Sequence, residues 1–249
     1  MDVEKQQVRT YSLRLRGWYR VSRGIIRFLL RLLSHLEIEG LEHIPQQGPY
    51  LLVTNHLHWL DPPVVMAAFP YRAYVFAAEK WEKNWLLGPL FRSLDAIFVR
   101  RGEVDRKALR QALAVLRGGG VLGLAPEGTR SKTGAMQQGR SGAAYMAYQT
   151  GAKLVPVVAT GQKQLFSALR RFRRARIRVV FGPPFEPPPV EGRVRAAHIH
   201  AFTEEIMYRL AAMLPPEYRG VYADVVDRRP DLIEFYGTGT GHGRHRFHG

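Results

Sequence analysis

Between residues 50 and 181, short apolar runs alternate with longer stretches whose apolar residues recur every three to four positions. No other feature limits the fold as much, because the two periods belong to different elements. The runs at 50–54, 74–77, 96–99, 121–125, 154–159 and 176–181 read as strands. Residues 105–117 read as a helix, with Ala108, Leu109, Ala112, Leu113 and Leu116 on one face and Gly118-Gly119-Gly120 ending it. A second helix is predicted over 142–150, closed by Gly151, and a last one over 194–214, stopped by Pro215-Pro216. Strands that alternate with helices build βαβ units. The expected fold is therefore a single α/β domain with a mostly parallel β-sheet flanked by helices.

Ahead of this pattern, residues 16–36 carry a helical period with an unusual polar face. Arg16, Arg20, Arg23, Arg27 and Arg31 fall in a stripe roughly 80° wide at about 100° per residue. Trp18, Val21, Ile25, Phe28, Leu29, Leu32, Leu33 and Leu36 fall opposite. Arginine opposed by Trp, Phe and Leu suits a helix lying in a lipid interface; the plainer reading packs it on its own domain. Three regions are expected: an N-terminal amphipathic membrane-associating segment over 1–36, the α/β domain over 37–216, and a C-terminal extension over 217–249. That extension ends in a mobile Gly/His-rich tail, whose His242, His245 and His248 sit among too many glycines for a rigid metal site.

Charge fits a polyanionic partner, since 37 Lys and Arg against 21 Asp and Glu leave a formal charge of +16. Arg170, Arg171, Arg173, Arg174, Arg176 and Arg178 crowd one stretch without any recognisable nucleic-acid module. A basic nucleic-acid-binding protein is thus the non-enzymatic alternative, resting on basicity alone, and no nucleic-acid partner is expected; an anionic membrane surface is, at ~1 kcal/mol per basic residue near it, and an acidic acyl carrier protein would suit the same arginines. The chain has no cysteine, which removes disulfides, thiolate metal sites and cysteine nucleophiles. Residues 1–9 lack the apolar core of a signal peptide. No apolar run reaches the ~20 residues that span a bilayer.

Chemistry gathers directly after two strands, where α/β folds build sites. In Asn55-His56-Leu57-His58-Trp59-Leu60-Asp61-Pro62-Pro63, His56 and Asp61 meet only if the chain turns between them, and a Pro-Pro-terminated turn is expected to supply that. A carboxylate on one imidazole nitrogen leaves the other free as a base. His56-x-His58 with Asp61 also resembles part of a metal-ligand set, but the other histidines form no second ligand motif, so no metal is expected and His58 is read as pocket-lining or structural. In Pro126-Glu127-Gly128-Thr129-Arg130 the arginine offers a fork for phosphate and the glycine a close backbone approach. Arg100-Arg101 is a further candidate anion clamp. Gly139-Arg140-Ser141-Gly142-Ala143 is one residue short of a nucleophile elbow and lacks a preceding strand, so Ser141 is expected near a helix start.

Together these motifs resemble the glycerolipid acyltransferase family, specifically the 1-acyl-glycerol-3-phosphate acyltransferases. The likeness covers about residues 40–184 in four ordered blocks. Asn55-His56-x-x-x-x-Asp61 matches the His-x4-Asp block, and Ala96-Ile-Phe-Val-Arg100-Arg101 is similar to the second. Pro126-Glu127-Gly128-Thr129-Arg130 matches the third, and Val155-Pro156-Val157 looks like the fourth. Asp95 stands where the second block usually has glycine, which bears on acceptor positioning, and Ala125 replaces a usual Phe or Val.

The resemblance implies acyl transfer from a thioester (acyl-CoA or acyl-ACP as co-substrate, with no cofactor) to the free hydroxyl of lysophosphatidic acid, giving phosphatidic acid. It implies His56 as general base oriented by Asp61, and Arg101, Glu127, Gly128, Thr129 and Arg130 as substrate-binding. Asn55, Pro126 and Pro156 would line the acyl pocket or serve the structure. Glycerol 3-phosphate or another lysophospholipid would suit the same blocks. The expected location is peripheral, on the cytoplasmic face of the plasma membrane.

Overall fold

A computed structural model describes residues 11–15, 17–85, 87–100 and 105–237. Its centre is a seven-stranded sheet of β1 (Ser34–Glu39), β2 (Tyr50–Thr54), β3 (Tyr74–Ala78), β4 (Ala96–Val99), β5 (Val121–Leu124), β6 (Lys153–Thr160) and β7 (Ala175–Phe181), in the order β1-β7-β6-β2-β5-β3-β4. Every neighbouring pair is parallel except β6 and β7. The mostly parallel α/β sheet read from the sequence is therefore the one formed, because strands covered on both faces must be apolar throughout. In β2, Leu51 and Val53 join one core while Tyr50 and Leu52 join the other.

Helices α1 (Gly17–Leu33), α2 (Asp61–Ala68), α3 (Leu87–Ser93), α4 (Arg106–Arg117), α5 (Gly142–Thr150), α6 (Leu165–Leu169), α7 (Ala196–Met213), α8 (Ala223–Asp227) and α9 (Pro230–Gly237) connect and cover the sheet. One core takes residues from α4, α5, α7, α8 and α9, the other from α1, α2 and α6. Asp105 caps α4, its carboxylate accepting the Lys107 and Ala108 N–H groups at 3.0 Å.

The turn expected between His56 and Asp61 is formed over residues 57–60, the Asp61 N–H donating to the His58 carbonyl at 3.2 Å. What the sequence did not show is that Pro62 and Pro63 after it lie in the first turn of a helix, α2, where a missing N–H costs nothing. Several expectations need correction. The N-terminal helix stops at Leu33, and Ser34 to Leu36 turn into the edge strand β1 on β7. Nor does α1 divide into two faces. It packs through a third face containing Tyr19, Ser22, Arg23 and Leu30, with Arg23 donating to the Met66 and Ala67 carbonyls at the end of α2 (3.1 and 3.2 Å). The apolar stripe stays outside, with Trp18 75% and Phe28 65% exposed. Past residue 216, Tyr222, Val226, Leu232 and Tyr236 are buried in the same core as α7. The boundaries drawn at 36 and 216 thus fall inside one packed unit. The predicted mobile tail, with His242, His245 and His248, lies outside the described residues, as do Arg16 and Arg101.

Asp95 has φ +54°, a left-handed conformation that explains a glycine at this place in the second block. Aspartate tolerates it better than most side chains and is held by Arg72 through two bonds of 2.6 Å.

Candidate active site

The site forms where β2 and β5 end side by side, after Thr54 and Leu124. Asn55 is fully buried. Its amide donates to the Ala159 carbonyl (3.0 Å) and accepts the Ala159 N–H (2.9 Å), so it fastens the exit of β2 to β6. Of the two roles expected for it, the structural one matches these bonds.

His56 comes next and is gripped by its backbone from both sides. Its N–H donates to Glu127 Oε1 at 2.9 Å, and its carbonyl accepts the Ser131 N–H at 2.8 Å. The second Glu127 oxygen accepts the Gln137 N–H at 3.0 Å. Glu127 is 2% exposed; burial pushes its carboxyl up against the pull of these two N–H donors. Both of its oxygens are engaged with backbone. The carboxylate therefore positions the His56 loop, a role that the expectation of substrate binding did not include. Ser131 and Gln137 escaped sequence reasoning because they act through backbone N–H groups, which any residue but proline supplies.

Asp61, fully buried at the start of α2, lies behind the imidazole. Its Oδ2 is 3.6 Å from His56 Nδ1 and accepts the His58 N–H at 2.7 Å. Asp61 Oδ1 and His56 Nδ1 are buried without a hydrogen-bond partner, so a movement of less than ~1 Å closes the pair; such bonds are often long before substrate arrives. Nδ1 thereby faces the carboxylate and Nε2 is the nitrogen left for a substrate proton. His58 Nδ1 accepts the Leu60 N–H at 3.3 Å. Burial holds the His58 imidazole below its ordinary pKa, a pull that Asp61 opposes and Arg130, His56 and Lys163 reinforce. Among the described residues no three His, Asp or Glu side chains converge as a metal set.

The Pro126 to Arg130 turn sorts its residues by depth. Pro126 and Glu127 are buried, Thr129 half-buried, and Gly128 and Arg130 exposed. The Pro126 carbonyl accepts the Arg140 N–H at 2.7 Å. Gly128 has φ +70°, which favours glycine, and a Cβ there would come within 2.8 Å of Cδ of the exposed Arg140 side chain and push it aside. Arg130 makes no ion pair with the described residues and remains a free cation beside His58. Arg100 is committed to Glu79 at 3.2 Å. Pro156 lies buried within β6 opposite Val53, its ring against Gly182, where a Cβ would approach it to 2.9 Å; it belongs to the sheet interior. Ser141 immediately precedes α5, as expected of a helix start rather than an elbow.

Comparison with known proteins points to one family. Residues 35–160 match the family model described as Acyltransferase. The chain is 30% identical over 205 residues to the 1-acyl-sn-glycerol-3-phosphate acyltransferase alpha of Bos taurus, covering 72% of this chain and 69% of that one. It is 20% identical over 193 residues to the 1-acyl-sn-glycerol-3-phosphate acyltransferase of Bacillus subtilis, covering 77% and 94%. The crystal structure of the 1-acyl-sn-glycerophosphate (LPA) acyltransferase of Thermotoga maritima shares the fold, with a TM-score of 0.59, 23% identity and 76% of each chain covered.

Proposed function

The chain belongs to the acyltransferase family, among the 1-acyl-sn-glycerol-3-phosphate acyltransferases, and we propose that it converts lysophosphatidic acid to phosphatidic acid. It is an O-acyltransferase, and the donor we propose is an acyl thioester, either acyl-CoA or acyl-ACP. One observation carries the reading: His56 is fixed by its backbone on both sides with a buried carboxylate behind Nδ1.

His56 Nε2 takes the acceptor's hydroxyl proton as the oxygen bonds to the thioester carbonyl carbon. The tetrahedral adduct then collapses, the C–S bond breaks, and the departing thiolate recovers that proton from the imidazolium. Asp61 closes onto Nδ1–H as the ring becomes cationic, stabilising the charge where it develops. A positioned base contributes typically ~10²–10⁴-fold. No covalent acyl-enzyme is needed, since the thiolate is a good leaving group. Arg130, with Arg101, meets the acceptor phosphate and contributes positioning rather than chemistry.

The acceptor is a lipid, so the protein has to meet a membrane. No described helix is long and apolar enough to cross one. The exposed stripe of Trp18, Val21, Ile25, Phe28, Leu29 and Leu32 on α1 supports a peripheral protein lying on an anionic surface. We place that surface on the cytoplasmic face of the plasma membrane, where acyl thioesters are available.

The test is product identification by mass spectrometry, with acyl-CoA and acyl-ACP each offered to lysophosphatidic acid, glycerol 3-phosphate and lysophosphatidylcholine. Phosphatidic acid as the main product supports the reading. A product only from glycerol 3-phosphate or lysophosphatidylcholine overturns the acceptor assignment and leaves the chemistry standing.

A further inference from the structure

The turn after α6 carries Phe172, which is fully exposed. Its N–H donates to the Leu169 carbonyl (3.0 Å) and the Arg173 N–H to the Ala168 carbonyl (2.9 Å). That paired closure ends a helix on a left-handed residue, a place usually given to glycine. Phe172 sits there at φ +54°. Glycine would relieve the backbone, so what phenylalanine adds is outward apolar surface.

Its surroundings are cationic and close to the site. Arg170, Arg171 and Arg173 are exposed and form no ion pair with the described residues. Arg174 donates to the Arg31 and Ser34 carbonyls, tying the turn to the end of α1, whose exposed stripe includes Phe28 and Leu32. On the other side, Phe166 stacks on Trp59, with ring centroids 6.0 Å apart and planes 20° from parallel; Trp59 is three residues beyond His56. The antiparallel register of Thr160 with Arg178 sets the start of β7 at the sheet end where β2 and β6 finish. The His56 mouth, the aromatic stack, Phe172 and the end of α1 share one end of the molecule.

We infer that residues 170–174 form a second membrane contact beside the active site, in which Phe172 enters an anionic bilayer and Arg170, Arg171 and Arg173 meet its phosphates. The inference deepens the proposed function and rests on its lipid acceptor. An apolar tip ringed by cations matches the headgroup boundary, where the tip leaves water while the cations keep phosphate partners. With α1 as the first contact, this one fixes the tilt that turns the His56 mouth toward the lipid. A single strand of nucleic acid offers phosphates and stacking bases to the same side chains, and the experiment separates the two.

Because the chain has no cysteine, Phe172→Cys gives one labelling site for an environment-sensitive fluorophore in the full-length protein. With vesicles of phosphatidylglycerol and phosphatidylcholine, its emission is expected to shift blue and to be quenched by a lipid-borne quencher. Phe172→Gly keeps the left-handed turn and is expected to match or exceed the wild-type melting temperature, yet to lower vesicle partitioning roughly tenfold. Turnover of a dispersed short-chain acceptor is expected to stay unchanged. Emission that ignores vesicles, or Phe172→Gly partitioning like wild type, overturns the inference, as does saturable binding of a single-stranded oligonucleotide in place of vesicles. Phe28→Asp on α1 keeps the two membrane readings apart. Loss of partitioning in Phe28→Asp alone sinks this contact and keeps that of α1, whereas loss in Phe172→Gly alone does the reverse. If the wild type forms no phosphatidic acid, the acceptor assignment fails while the fluorescence still decides the contact.

Discussion

Glu127 touches the backbone of His56 and not its ring: Oε1 accepts the His56 N–H at 2.9 Å, while Oε2 accepts the Gln137 N–H. Replacing Glu127 with Gln turns one of two acceptors into a donor that faces an N–H. A shift of ~1 Å at a reacting group costs about 10²-fold, so kcat is expected to fall by about that factor with KM for the acceptor nearly unchanged. Steady-state kinetics on both substrates check it. A rise confined to acceptor KM would instead assign Glu127 to holding the substrate.

Arg130 is the exposed charged member of the same turn, and its expected variant pattern is the opposite. Arg130→Ala should raise KM for the phosphorylated acceptor about tenfold or more, since a charge-assisted contact contributes ~1.5–3 kcal/mol, and leave KM for the thioester alone. Arg130→Lys should recover only part, because a point charge does not reproduce the planar fork. Equal loss for both substrates would assign Arg130 to the fold.

His58 gives a pH dependence. Its pKa is lowered in the folded state, chiefly by burial, so the unfolded chain takes up the proton first as pH falls. The stability linked to the neutral ring is present above the unfolded value of about 6.5 and declines as pH drops through it toward the lowered folded value. Urea midpoints at pH 7.5 and pH 5.5 should therefore differ more in the wild type than in His58→Gln. An unchanged difference would show that other groups carry the acid sensitivity.

Deleting residues 1–36 is not a clean way to remove the membrane helix. The cut takes the first half of β1 together with Tyr19 and Leu30, both buried. Each such side chain contributes ~1.5–3 kcal/mol against a typical domain stability of ~5–15 kcal/mol. The truncated chain is expected to lose its cooperative thermal transition, whereas Phe28→Asp, on the exposed stripe, should melt like wild type. A truncated chain with a native melt would detach α1 from the core.

What the sequence made legible follows from how local each signal is. The strand pattern, α4, α5 and the His56–Asp61 pair rest on short-range periodicity or spacing, and all reappear. The turn between His56 and Asp61 is legible too, but α2 behind it is not, because Pro62-Pro63 marks the end of a turn without showing that a helix begins there. The packing face of α1 was invisible because Arg23 is buried by distant carbonyls of α2, and side-chain character alone places arginine outside. The backbone grip of Glu127 was not legible because its partners are N–H groups brought in by the fold from residues 56 and 137. Asp95, marked as a departure from the family, is explained only by its φ of +54° and by Arg72.

The central claim is that His56 is the base for acyl transfer, and the direct measurement is single-turnover phosphatidic acid formation by His56→Ala beside wild type. Both proteins are offered lysophosphatidic acid and an acyl thioester, with product counted by mass spectrometry and folding checked by thermal melt. The expected result is a native melt with a rate at least ~10²-fold lower, and Asp61→Asn intermediate between the two. A His56→Ala protein that folds and turns over at the wild-type rate would contradict the mechanism outright.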